Sequence, residues 1–161
     1  MFFQQELDSA TLDFDKNLHH ELGLLLRKQK RTIAIIESVT GGEIGYRLTE
    51  LSKSEPILVG GFICKTPLML IQLLGVSPAA IREYGESSEE VVKEMIAGLQ
   101  KRIKSDIYLA VTGTIAIGYK CNNEEKYKEI KLTGLPQIVR QQATRTTLMY
   151  LKQWLTSGGI T

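Results

Sequence analysis

A serine at position 38 is the side chain best placed in this sequence for nucleophilic chemistry. It follows the apolar run 32–36, which has the length of a buried strand, and precedes Thr40, Gly41 and Gly42. A serine attacks a carbonyl group when a base removes its proton and N–H donors hold the oxyanion that forms. We expect backbone N–H groups near the two glycines to supply those donors. The alternative is that Ser38 and Thr40 merely cap the helix that follows.

Lys65 is the candidate base for this serine. It lies between a second apolar run, 57–63, and a helix start, where partial burial would favour the neutral amine that a base requires. The alternative is an ordinary solvated lysine. Thr112 and Gly113 follow a third apolar run, 107–111. The threonine hydroxyl is expected either to assist the serine or a substrate, or to satisfy the backbone of its own turn.

The residues next to these three side chains are expected to line a substrate site. Five of them are assigned to this lining: Glu37, Thr40, Gly41, Gly42 and Gly113. The glutamate suits a partner for backbone N–H groups better than an acid catalyst.

The cysteines and histidines do not indicate a metal site. Cys64 and Cys121 have no ligand-like spacing to each other or to His19 and His20. Neither a zinc site nor a disulfide framework is therefore predicted. A thiol nucleophile at position 64 would need an activating histidine, and both histidines fall on a predicted helix remote from it.

The elements that must position these residues alternate between strands and helices. Three apolar strands are separated by helical segments that begin at capping signals, and the expected helices cover 17–29, 43–51, 68–74, the segment from Ser77 to Gly85, 87–104 and the segment from Pro136. This alternation predicts an α/β fold, a single-domain three-layer α/β/α sandwich with a largely parallel sheet. A parallel sheet brings Ser38 and Thr112 to the same edge. The core is expected over 17–155, with an N-terminal arm (1–16) and a loose tail (156–161).

Length and charge narrow the class of protein. The chain has 161 residues, which suits one domain, and its 20 basic and 18 acidic residues are scattered, so no nucleic-acid partner is implied. No apolar run is long enough to cross a bilayer, and the N-terminus lacks the pattern of a secretory signal. These features predict a cytoplasmic protein without a membrane partner.

The landmarks of the chain, taken in order, resemble the C-terminal domain of the CinA (competence/damage-inducible) family over about residues 18–155. They are Glu37-Ser-Val-Thr-Gly-Gly42, Arg47-Leu-Thr49, Gly60-Gly61, Leu74-Gly-Val76, Gly85, Ala110-Val-Thr-Gly113, and Gly134 before Ile138-Val-Arg140. The resemblance implies a nicotinamide-nucleotide amidohydrolase of pyridine nucleotide salvage, which converts nicotinamide mononucleotide and water into nicotinic acid mononucleotide and ammonia. It implies a small-molecule nucleotide partner and no cofactor. Ser38 matches the family's proposed nucleophile, and Thr112 matches its assisting threonine.

The family's catalytic lysine has no direct counterpart. Counted without a gap, that lysine falls on Leu70 and the family tyrosine falls on Lys65. The family's glycine-rich loop and the strand after it are replaced by 114–118 and a charged segment, so about a strand's worth of chain is missing and we expect a smaller sheet. The family's Gly-Asp-Arg is replaced by Gly134-Leu-Pro136. Two hypotheses remain: a hydrolase in which Lys65 replaces the family base, or an inactive relative that binds nucleotides or serves as an assembly module. The sequence leaves a homo-oligomer open.

Overall fold

The computed structural model describes residues 2–51, 56–113 and 115–157, with side chains from Lys16 onward. Within these ranges the chain forms six helices and five strands. In chain order they are α1 (Phe2–Gln29), β1 (Ile33–Glu37), α2 (Glu43–Glu50), β2 (Leu58–Ile63), α3 (Pro67–Leu74), α4 (Pro78–Tyr84), α5 (Glu89–Arg102), β3 (Ile107–Val111), β4 (Ala116–Cys121), β5 (Glu124–Glu129) and α6 (Pro136–Ser157).

The strands form one mixed sheet in the order β2-β1-β3-β4-β5. The central strand β1 is parallel to both β2 and β3, as expected. The other two strands are antiparallel and form a hairpin next to β3. The charged segment after residue 118 therefore contributes an edge strand, and the sheet is less parallel than predicted. Charged side chains such as those of β5 protect an edge from pairing with other chains.

Helices cover both faces of the sheet, which is the predicted three-layer α/β/α arrangement. α1, α2 and α6 supply the core on one face, and α3, α4 and α5 supply the core on the other. Every residue of β1 and of β3 is buried, because these strands are covered on both sides. The carboxyl ends of the two strands are thus held in a rigid frame.

The predicted helix starts are confirmed by their caps. The hydroxyl oxygens of Thr66, Ser77 and Ser88 accept N–H groups from the first turns of α3, α4 and α5. α1 contains the expected helix 17–29 but begins at Phe2, so the expected N-terminal arm is helical. α6 extends to Ser157, and the rest of the expected tail lies outside the described residues. In the described part of the chain, no helix combines the length and hydrophobicity needed to cross a membrane.

Candidate functional site

Ser38 lies where three parallel strands end together. Its N–H donates to the carbonyl oxygen of Val111 at 3.0 Å, which ties the end of β1 to the end of β3. On the other side, the N–H of Cys64 donates to the carbonyl oxygen of Glu37 at 2.8 Å. The chain leaves β1 toward β2, whereas β3 lies on the opposite side of β1. Such a reversal of strand order opens the crevice in which α/β sheets bind ligands.

The carboxylate of Glu37 holds the turn after β1 from inside the protein. The side chain is buried, and its Oε2 accepts the hydroxyl of Thr40 at 2.5 Å and the N–H groups of Gly42 and Ile44 at 3.0 and 3.2 Å. Its Oε1 accepts the N–H of Gly45 at 2.7 Å. These are donors that the start of a helix leaves unpaired. Glu37 therefore faces the backbone of α2, and Thr40 is buried against it.

Ser38 does not cap the helix that follows. The N-cap of α2 is Gly42, which has no side chain to serve as a cap, and Glu37 accepts the helix donors instead. Among the described residues, the Ser38 hydroxyl has no hydrogen-bond partner. Ser38 as a whole is 5% exposed, so little of it is accessible to solvent. The capping role expected as an alternative is taken by another residue.

The two glycines of the turn give it its shape, and their N–H groups are already used. Gly41 and Gly42 have φ angles of +59° and +101°, which disfavour other residues. The N–H of Gly41 donates to the Ser38 carbonyl at 3.1 Å, and that of Gly42 donates to the glutamate. The oxyanion donors expected from the glycines are therefore committed to the turn. The N–H groups of Val39 and Thr40 make no hydrogen bond within the described part of the chain, so they are the available donors.

The structure brings Lys65 to Ser38. The Lys65 Nζ donates to the Ser38 carbonyl oxygen at 3.3 Å. The lysine is exposed to solvent, and the partial burial expected for it is absent. Leu70, at the position of the family lysine, is 1% exposed in the core beneath α3. Lys65 therefore supplies an amine next to the serine, and Leu70 has a packing role.

Thr112 and Gly113 complete the site from the end of β3. Thr112 is buried; its N–H donates to the carbonyl oxygen of Ala116 at 3.0 Å, and its Oγ1 accepts the N–H of Ala116 at 2.9 Å. The hydroxyl thus satisfies the backbone of its own turn while its proton stays available for donation. A Cβ added at Gly113 would lie 3.8 Å from the Ser38 Oγ. The second turn therefore faces the serine hydroxyl.

The cysteines are unsuited to thiolate chemistry. Cys64 and Cys121 are free and buried, and burial raises the pKa of the Cys64 thiol. In the described ranges, no group of three His, Cys, Asp or Glu side chains is arranged to hold a metal ion.

A cleft of about 420 Å³ opens beside the serine turn, between α2 and α6. Gly41 and Gly42 form one wall, and Arg47 of α2 and Arg140 of α6 also line it. Both guanidinium groups approach the Glu43 carboxylate, at 3.9 and 3.5 Å. The local sequence does not indicate these arginines as site residues, because only the packing of α6 against α2 brings Arg140 near the turn. Their presence among the family landmarks was the available signal.

Comparison with known proteins gives consistent results. A family model described as the CinA C-terminal domain matches residues 15–155. A CinA-like protein from Solibacter usitatus is 41% identical over 92 residues, 57% of this chain and 22% of that protein. A CinA-like protein from Leptospira biflexa is 31% identical over 142 residues, 79% of this chain and 34% of that protein. The chain thus spans about a third or less of the length of these curated relatives.

Solved structures agree with the fold. A competence damage-inducible protein A (ComA) from Klebsiella pneumoniae superimposes with a TM-score of 0.82 at 20% identity, covering 89% of this chain and 98% of the other. A CinA superfamily protein from Escherichia coli gives a TM-score of 0.79 at 24% identity, covering 86% and 88%. At these sequence identities the structural similarity establishes the fold, and the chemistry must be inferred from the residues of the site.

Proposed function

This chain belongs to the CinA C-terminal domain family, and from that premise we propose that it hydrolyses the carboxamide of nicotinamide mononucleotide with Ser38 as nucleophile and Lys65 as base. The observation that carries the proposal is the 3.3 Å contact between the Lys65 amine and the Ser38 carbonyl oxygen. We infer that rotation about its flexible four-carbon side chain brings this amine to the Ser38 hydroxyl. We further propose that this reaction takes place in the cytoplasm, as a step of pyridine nucleotide salvage.

During acylation Lys65 accepts one proton from Ser38 and then gives it to the leaving nitrogen. The neutral Lys65 amine takes the Ser38 proton while Oγ attacks the carboxamide carbon, and the carbonyl oxygen becomes an oxyanion. The N–H groups of Val39 and Thr40 are the donors proposed to bind it. When the tetrahedral intermediate collapses, the carbon–nitrogen bond breaks and the Lys65 ammonium returns the proton to the leaving nitrogen. Ammonia departs and Ser38 carries the acyl group.

Deacylation repeats these transfers with water. Lys65 removes a proton from a water molecule, whose oxygen attacks the acyl carbon, and the proton then passes to Ser38 Oγ as the ester bond breaks. The products are nicotinic acid mononucleotide and free enzyme. In this scheme Thr112 donates its remaining hydroxyl proton to the serine or the substrate, and Gly113 leaves room for the acyl group beside Oγ.

A second candidate is a relative without turnover that binds a nucleotide or serves as an assembly module, for example in a homo-oligomer. It is favoured by the solvent exposure of Lys65, because the protein does not shield this side chain from water as it would a base inside a closed site. It is also favoured by Leu70, which cannot accept a proton. These observations concern the base alone; the serine turn is the same under both proposals.

An ammonia-release assay with nicotinamide mononucleotide separates the two. Under the first proposal the unmodified chain releases ammonia, Ser38→Ala abolishes release, and Lys65→Met lowers it by about 10²-fold or more, as expected for loss of a general base. Lys101→Met is the matched control, since Lys101 is an exposed lysine on α5. An unmodified chain that releases no ammonia, but is stabilised against heat by the nucleotide, would leave only the second candidate. Equal rates for the Lys65 and Lys101 variants would remove Lys65 from the mechanism.

A further inference from the structure

We propose that the cleft between α2 and α6 binds the phosphate monoester of the substrate through Arg47 and Arg140. This inference rests on the proposed function, to which it adds the part of the site that recognises a nucleotide. The cleft has a volume of about 420 Å³, in the range of small-molecule sites. Because Gly41 and Gly42 form part of its wall, a ligand in the cleft lies against the turn that carries Ser38.

The charges of the cleft favour an anion. Its charged lining consists of two arginines and one carboxylate, that of Glu43, which gives a net positive charge. The carboxylate is 3.9 Å from the Arg47 guanidinium and 3.5 Å from that of Arg140. At these distances Glu43 makes no close hydrogen bond to either arginine, and each guanidinium has five N–H donors with which to bind a ligand. A ligand with two negative charges competes effectively with the single charge of Glu43 for these donors.

Two guanidinium groups on separate helices suit a phosphate better than a single point of contact would. Each guanidinium presents a planar fork of donors that pairs with two phosphate oxygens. Arg47 lies on α2 and Arg140 on α6, with side chains 29% and 51% exposed, so both remain accessible from solvent. A phosphate held between them would also join the two helices that border the site.

The test compares two ligands that differ only in the phosphate. Nicotinamide mononucleotide and nicotinamide riboside are titrated calorimetrically into the full chain carrying Ser38→Ala, which prevents turnover. We expect the mononucleotide to bind about tenfold or more tightly, because charge-assisted hydrogen bonds to the phosphate are absent from the riboside. Equal affinity for the two ligands would overturn the inference.

Single substitutions then assign the effect. Arg47→Gln and Arg140→Gln should each weaken mononucleotide binding several-fold and leave riboside binding unchanged, whereas Arg82→Gln, an exposed arginine on α4, should change neither. Glu43→Gln should tighten mononucleotide binding, because it removes the competing negative charge. Weaker binding in the glutamine variant at position 43, or no change in both arginine variants, would refute the site. Thermal unfolding shows whether each variant is still folded. If Arg47→Gln unfolds the chain, Arg140→Gln alone tests the site, because the Arg140 side chain is 51% exposed and its replacement should not disturb the fold.

The outcome is separable from that of the amidase proposal. If the unmodified chain releases no ammonia but prefers the phosphorylated ligand, the phosphate site stands and the hydrolase proposal falls. If ammonia is released equally fast from both ligands at low concentration, the hydrolase stands and the phosphate site falls.

Discussion

Replacing Glu37 by alanine should destabilise the protein more than any other single change in the serine turn. The glutamate is 1% exposed and accepts four hydrogen bonds, three of them from backbone N–H groups of Gly42, Ile44 and Gly45. Alanine removes both acceptor oxygens, and the fixed start of α2 has no other described acceptor for these donors. The turn must then rearrange or admit water.

The expected magnitude follows from the three backbone donors. Each buried donor left without an acceptor costs about 1–2 kcal/mol, at the lower part of the usual range because water can enter the space that the side chain vacates. The sum is about 3–6 kcal/mol, a large share of the roughly 5–15 kcal/mol that stabilises a typical domain. Glu37→Gln keeps one acceptor oxygen and places an amide donor opposite another donor, so we expect a smaller loss, about 1–3 kcal/mol.

Urea unfolding monitored by circular dichroism measures these losses. The matched control is Glu50→Gln, at the other end of α2, where the carboxylate is 39% exposed and lies 3.6 Å from His19. That substitution should change the free energy of unfolding by no more than about 0.5 kcal/mol. The expected order of destabilisation is therefore alanine at position 37, then glutamine at position 37, then the control.

Two results would refute this reasoning. A loss below about 1 kcal/mol for Glu37→Ala would mean that the four hydrogen bonds contribute little net stability, contrary to the usual cost of unpaired buried donors. A loss for Glu37→Gln equal to that for alanine would mean that the charge alone matters, and not the number of acceptors.

Three further predictions concern the frame around the turn. Gly61→Ala should destabilise the fold by about 1–3 kcal/mol or more in urea unfolding, since its Cβ would lie 2.2 Å from a carbonyl oxygen of β1. Gly60→Ala is the control and should be tolerated far better, because the nearest atom to its Cβ would be 3.8 Å away. The thiol of Cys64 should react with a disulfide reagent only on unfolding, and rapid reaction of the native chain would contradict its burial. Thr112→Val should cost about 1–2 kcal/mol by removing the acceptor for a buried N–H, and Thr112→Ser should restore most of it.

The sequence predicted the elements whose signals are local. Thr66, Ser77 and Ser88 cap helices through their own side chains, so a window of a few residues contains the whole interaction. The hairpin of β4 and β5 was missed because the charged β5 lies at the sheet edge and has no buried residue to show a strand pattern. Its pairing with β4 depends on the partner strand, which the local sequence does not describe.

The sequence predicted those residues of the site that lie at the ends of strands. Lys65 was named as the candidate base for Ser38 because each follows a predicted strand, and its amine lies 3.3 Å from the Ser38 carbonyl oxygen. The exposure of Lys65 and the position of Arg140 could not be read from local sequence, because both depend on how distant elements pack. The N–H groups of the glycines were expected to be free, but that of Gly42 donates to the inward-facing Glu37 carboxylate and that of Gly41 donates to the Ser38 carbonyl oxygen.

The division of roles in this turn is the strongest structural argument that Ser38 is placed for chemistry. A helix start after a strand is commonly capped by a serine or threonine, yet here the cap position is Gly42 and the buried Glu37 accepts the helix donors. Thr40 donates its hydroxyl to that glutamate. In the part of the chain that the structure describes, the Ser38 hydroxyl is the one in the turn without a hydrogen-bond partner, which leaves it available to a ligand. Since Glu37 fixes the turn whether or not a base is present, loss of Lys65 should leave the serine in position and inactive.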